Sequence, residues 1–156
     1  MTILMPRLIT DPAFLDYGQP STPVGDLTPY GDHDAQLFFD SGTMRFYVMH
    51  LKHPGFLVTA MTRHIHCSQC LASADAKPWW IAVAAPDLAS DAIDNSSLSL
   101  FRIDPRQALK LHPGTWHAGP YFITEKAAFY NLELSNTKVA DHITRHLSTR
   151  VTLQLD

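Results

Sequence analysis

TRHIHCSQC (residues 62–70) closes a run of strand-forming residues, GFLVTAMTRHIH (55–66), and sets His64 and His66 inside it. Side chains alternate along a strand, so a histidine here points either into a barrel or out of it. A second segment, LHPGTWHAGPYF (111–122), has the same character. Pro113 and Gly114 predict a turn, and His117 follows three residues after the glycine. Two such strands can bring His64 and His117 together in one barrel, and small barrels build ligand sites in this way.

Working outward, strand-like runs dominate the middle of the chain: LFFDSG, TMRFYVMHL, KPWWIAVAA, LSLFRI, ALKLH, GPYFI and AFYNLELS. Most are β-branched or aromatic and end at Gly, Pro, Asp or Ser. Strands at this spacing, without ten-residue helices between them, predict an all-β jelly roll (double-stranded β-helix) with short helices at its edges. An up-and-down barrel is the second choice. DPAFLDYG (11–18) reads as a short helix opened by Asp11-Pro12 and closed by Gly18. Residues 19–33 are rich in Pro and Gly and read as a long surface loop. VADHITRHLST (139–149) has helical spacing through Val139, Ile143 and Leu147, and LQLD (153–156) has no clear structure.

The chain of 156 residues is the size of one domain, 1–156, with a real core. A hydrophobic fraction of 46% against 17% charged residues excludes a disordered chain. Net charge is −3 with no basic cluster, which argues against nucleic acid as a partner. No stretch is apolar enough to span a membrane and the first residues do not read as a secretion signal. Cys67 and Cys70 give no disulfide framework, so a reduced cytoplasmic chain is expected. Their CxxC spacing has none of the βαβ setting of a redox motif. Trp79, Trp80, Phe101 and Phe129 read as core.

The first histidine motif has two registers. A cupin barrel pairs a histidine with an acid four or five residues on. In one register His64 is that histidine, Gln69 stands where the acid would be, and Thr62 replaces an earlier histidine. In the other His66 joins His64 and Cys70 replaces the acid, which supplies better ligands for zinc or another borderline metal. Alternation does not choose between them. A divalent metal held by His64, Gln69 and His117, or through His66 and Cys70, is thus an option; no organic cofactor is expected. His142 and His146 are four apart on the expected helix and read as a solvated face.

The strings FYVMHL, SQCLAS, WWIAVA, LHPGTWHAGP and FYNLELSNTKVADH, with AFLDYG near the start, resemble the ureidoglycolate lyase (ureidoglycolate hydrolase) family, which has the cupin fold. The resemblance spans roughly 11–142, and GTWHAGP and FYNLELS carry it most specifically. It implies cleavage of ureidoglycolate to glyoxylate and urea. Position by position, the family's arginine-histidine pair falls on Arg63 and His64, its glutamine on Gln69, its tryptophan-histidine pair on Trp116 and His117, and its late acid on Glu133. This favours the first register. Ile65 stands where a proline is frequent and His50 where an arginine is, and histidine cannot hold a carboxylate bidentately.

Loss of urea from a carbinolamine needs a base at the hydroxyl and an acid at the leaving nitrogen. His64 or Glu133 is the candidate base and His117 the candidate acid, with Gln69 beside them. Arg45, His50, Trp116, Tyr121 and Asn131 are the candidate substrate contacts, with Arg45, His50 and Lys126 as cations for the carboxylate. A metal-dependent cupin of other chemistry, or a non-catalytic ligand-binding cupin, are the competing readings. A homodimer is expected, because cupin barrels commonly pair along an edge.

Overall fold

The computed structural model describes residues 1–156. Twelve strands carry the fold: β1 (Thr2–Leu4), β2 (Pro6–Leu8), β3 (Gly18–Ser21), β4 (Met44–Lys52), β5 (Leu57–Arg63), β6 (Gln69–Ser73), β7 (Trp79–Ala84), β8 (Ser99–Ile103), β9 (Ala108–Leu111), β10 (Trp116–Tyr121), β11 (Lys126–Leu134) and β12 (Ile143–Leu153). They form a seven-stranded sheet, β1-β12-β5-β10-β7-β8-β2, and a five-stranded sheet, β3-β9-β6-β11-β4. The expected all-β cupin barrel is the fold. No helix is long and apolar enough to cross a membrane.

The core explains the pairing of the sheets. β7 (WWIAVA) is buried on both faces. Trp79, Ile81 and Val83 point between the sheets, where they meet Leu71, Phe101, Leu109 and Phe129. Trp80, Ala82 and Ala84 point the other way and pack with Met61, Trp116 and Val151, covered by Ile93 and Leu98. Continuous apolar sequence here means a strand with core on both sides, as Trp79 and Trp80 led one to expect. Each large side chain buried in this way contributes roughly 1.5–3 kcal/mol.

Several expectations need correction. VADHITRHLST is not a helix. Only α1 (Thr137–Ala140) is helical, and Ile143 opens β12, which pairs antiparallel with β5 and parallel with β1. Ile143, Thr144, Thr149, Val151 and Thr152 are β-branched, and pairing with two strands outweighs the helical spacing. LFFDSG is not a strand either; Phe39 makes one isolated bridge to Cys67. β1–β3 and β6 were not anticipated, because three- to five-residue strands leave little periodicity to read. The N-terminal helix is there as a 3-10 turn over Pro12–Asp16, with the Asp11 side chain accepting from the Ala13 N–H.

Candidate active site

The site assembles at one end of the barrel, and its first cause is a turn. His112 to Thr115 reverse the chain, with the Thr115 N–H donating to the His112 carbonyl at 3.1 Å. Gly114 adopts φ +87°, a left-handed conformation that favours glycine. The Gly114 N–H then donates to the His64 carbonyl at 2.6 Å. This bond ties the two histidine motifs together. His117 pairs with Thr62 across β10 and β5, and the rings of His64 and His117 lie 5.2 Å apart.

Asp141, just beyond α1, holds the other side of His64. Its carboxylate accepts the N–H groups of Ile65 and His66, both at 2.8 Å. Its carbonyl accepts from His64 Nδ1 at 2.5 Å. The Thr115 carbonyl accepts from His117 Nδ1 at 3.2 Å. In the neutral form both rings therefore carry their proton on Nδ1 and present an unprotonated Nε2.

A polar chain runs behind the histidines. Gln69 Nε2 donates to Asn131 Oδ1 at 3.2 Å, and Asn131 Nδ2 donates to Tyr47 Oη and Glu133 Oε1 at 3.1 and 3.2 Å. The Tyr47 hydroxyl donates to Glu133 Oε1 at 3.0 Å and accepts from Lys138 Nζ at 2.5 Å. Lys138 Nζ is 3.9 Å from Glu133 Oε1. The carboxylate only accepts, so it fixes the orientation of both amides. Gln69 Oε1 and Glu133 Oε2 are buried without a donor. Unmatched acceptors of this kind cost about 1–3 kcal/mol each and favour positive charge nearby.

Of these groups His64, His117, Gln69 and Lys138 border a cavity of about 350 Å³, whereas Tyr47, Asn131, Glu133 and Asp141 are not part of its lining, so Glu133, expected as a catalytic acid or base, stands behind the cavity wall. His64, His117, His142, Gln69, Thr62 and Lys138 supply its polar lining. A second recess of about 260 Å³, at the opposite end and lined by Trp79, Phe122 and Phe129 among others, contains no imidazole.

Electrostatics separate the two imidazoles. Burial is the main influence on His64 and pulls it below 6.5, while the Asp141 carbonyl and then the Glu133 and Asp141 carboxylates pull it back. His117, although partly accessible, sits deep enough that burial, followed by the nearby His64, drives it down to about 3. Only the Thr115 carbonyl opposes that. Two carboxylates oppose the effect of burial at His64, and none does so at His117. Both histidines are neutral at pH 7, which removes the expected role of His117 as a protonated acid.

Stability follows from the same shifts. A histidine with a lowered folded pKa stabilises the fold above its unfolded value of 6.5, and that contribution is lost as pH falls toward the folded value. For His117 the window is pH 6.5 down to about 3. The unfolded chain takes up the extra proton there, costing about 1.4 kcal/mol per pH unit. Denaturant melts between pH 7 and 4 are expected to show this slope, and His117→Gln to reduce it by one proton; an unchanged slope contradicts the assignment.

Other candidates fall elsewhere. His50 is exposed on the outer face of β4, because alternation turns Tyr47, Met49 and Leu51 inward. Trp116 is fully buried in the second core, its Nε1 donating to the Leu88 carbonyl at 3.0 Å, and Arg63 stacks over it. Neither His50 nor Trp116 can touch a ligand in the cavity. Arg45 stacks on the Tyr47 ring with its Cζ 3.6 Å from the centroid and does not line the cavity. Asn131 is fully buried with its amide engaged, so it positions and does not contact. Tyr121 does line the cavity, its hydroxyl donating to the Leu57 carbonyl at 3.4 Å.

The alternative register also fails. His66 pairs with Asp40 at the surface, 2.9 Å away. Cys70 faces away from the cavity opposite Lys110, its thiol pushed up to about 11 by burial. No three His, Cys, Asp or Glu side chains are grouped to hold a metal ion. His64, Gln69 and His117 alone offer two imidazoles and a neutral amide, a poor set for a divalent metal without an anionic ligand.

Lys138, Asp141 and Tyr47 were not foreseen, and His142, expected on a solvated helix face, lines the cavity instead. The helical reading of 139–149 hid Asp141 and the place of His142, while Lys138 precedes that segment: α1 and the residues after it deliver Lys138 and His142 to the cavity, with the His142 ring 5.4 Å from that of His64. Tyr47 was legible only as an inward position on β4.

The sequence profile of the family described as ureidoglycolate lyase matches residues 30–152, which contain every residue of this site. A search of the curated proteins finds no match. With the cupin barrel, the tied histidine motifs and a match over most of its length, the chain belongs to the ureidoglycolate lyase family.

Proposed function

We propose that the protein is a lyase that cleaves ureidoglycolate, or a closely related carbinolamine acid, to glyoxylate and urea. The observation that carries this reading is the pairing of His64 and His117 at the cavity, with the His64 Nδ1 proton committed to the Asp141 carbonyl so that Nε2 is the nitrogen left for substrate. His64 takes the hydroxyl proton. The C–N bond breaks with its electron pair going to nitrogen, the C–O bond becomes the aldehyde of glyoxylate, and His64 returns the proton to the departing urea. Glu133 stabilises the imidazolium formed in between. His117 Nε2 accepts a ureido N–H, and Gln69 belongs to the chain that keeps Glu133 in place.

Lys138 is the cation for the carboxylate. One of its three donors goes to Tyr47, which leaves two for substrate. Lys126 lies at the other end of β11, and no step runs through a metal. Lys138→Met is expected to raise KM roughly tenfold or more with a smaller change in kcat, since a charged hydrogen bond is worth about 1.5–3 kcal/mol. An unchanged KM removes this role. Incubation with ureidoglycolate is expected to release glyoxylate and urea in equal amounts above the spontaneous rate, and no release above that rate contradicts the function.

Two further features complete the proposal. The free thiols Cys67 and Cys70 suit a reducing cytoplasm. Two copies associate through the outer face of β4 and β11, where Met44, Phe46, Val48 and Tyr130 are all more than two-fifths exposed and Phe46 stacks on Tyr130. Sedimentation is expected to give twice 17.5 kDa, and the monomer mass contradicts pairing.

A further inference from the structure

The cavity has apolar lining that the proposed reaction leaves unused. His64, His117, His142, Gln69, Thr62 and Lys138 supply its polar lining. The remaining lining includes Met49, Ala60, Leu71, Pro120 and Tyr121, and the Tyr121 hydroxyl is directed to the Leu57 carbonyl so that its ring offers hydrocarbon. The whole space is about 350 Å³. That is within the range of pockets that enclose drug-sized ligands, roughly 300–1,000 Å³, whereas ureidoglycolate has only about nine non-hydrogen atoms. With its ureido end at His117, ureidoglycolate carries no hydrocarbon to set against these apolar side chains.

We propose that this apolar lining is an acyl subsite, and that the site also accepts N-acyl-2-hydroxyglycines, which have the same carbinolamine and carboxylate with a hydrocarbon acyl group in place of the carbamoyl group. The inference rests on the proposed carbinolamine chemistry. The step balances in the same way: the hydroxyl proton passes through His64 to nitrogen, the C–N bond breaks toward nitrogen, and a primary amide and glyoxylate leave. Nothing is oxidised or reduced. The carboxylate is held by Lys138, the amide N–H faces His117, and the acyl chain lies against Met49, Ala60 and Leu71.

The test compares kcat/KM for ureidoglycolate and for N-acetyl- and N-butanoyl-2-hydroxyglycine, with glyoxylate as the readout. The unreactive N-acetyl- and N-butanoylglycine are measured alongside by calorimetry. Each methylene that enters the subsite is expected to raise kcat/KM and tighten binding roughly fourfold. Ala60→Leu is expected to cancel the gain for the longer chain. Turnover of ureidoglycolate with a flat or falling acyl series overturns the subsite and leaves the lyase reading standing. Tightening of the N-acylglycines without turnover of any substrate supports the subsite and overturns the lyase reading. Absence of both turnover and binding overturns both.

Discussion

His64→Gln is expected to lower kcat by roughly 10²–10⁴-fold while the protein stays folded. A positioned general base contributes about that much, and glutamine keeps the size and polarity of the ring without a titratable nitrogen. His64 is the imidazole to test because its Nδ1 proton is committed to the Asp141 carbonyl and its cation is favoured by Glu133 and Asp141. The equivalent change at His117 removes a hydrogen-bond acceptor and is expected to have the smaller effect on kcat. The pH dependence has a definite sign. His64 must be neutral to act, and burial lowers its pKa below 6.5, so activity persists at pH 6.5 and falls only in more acid solution. A kcat within threefold of the parent in His64→Gln removes His64 as the base.

Asp141→Ala is expected to cost about 3 kcal/mol of stability and most of the activity together. The carboxylate accepts two backbone N–H groups of the turn that follows β5, and hydrogen bonds to a charged group are worth about 1.5–3 kcal/mol each. Removing it frees Ile65 and His66 and lets the backbone of His64 drift. Asp141→Asn keeps one acceptor oxygen and is expected to recover part of both losses. The His64 contact itself comes from the Asp141 backbone carbonyl, so any activity lost beyond the stability change reports on position and not on the missing charge. If Asp141→Ala melts with the parent, the turn is held by the Gly114 contact alone.

Legibility in the sequence followed the length of the signal. β4, β7 and β11 were readable because long apolar or alternating runs have few alternatives. His64, Gln69, His117 and Glu133 were readable from two motifs and a late acid in an apolar strand, and the structure places all four at one end of the barrel. Their roles were not readable, because they depend on which carbonyl meets which ring nitrogen. The segment 139–149 is not the helix its spacing predicts: Val139, Ile143 and Leu147 are spaced as on a helix, yet Val139 is 91% exposed and the buried anchors are Val151 and Leu153. That spacing concealed Asp141 and the place of His142 at the cavity. His50 and Trp116 failed for another reason. Family position located them on the right strands, but the face of a strand is settled by register, and one residue of difference turns a contact outward.

The most direct measurement is the protonation of the two imidazoles by ¹⁵N NMR at pH 7. His64 and His117 are each expected to show a protonated Nδ1 and a bare Nε2, with His64 the first of the pair to take up a proton as the pH is lowered. A proton on Nε2 of His64 in the free protein, or an imidazolium at pH 7, contradicts the account, because the ring would have no lone pair to offer a substrate.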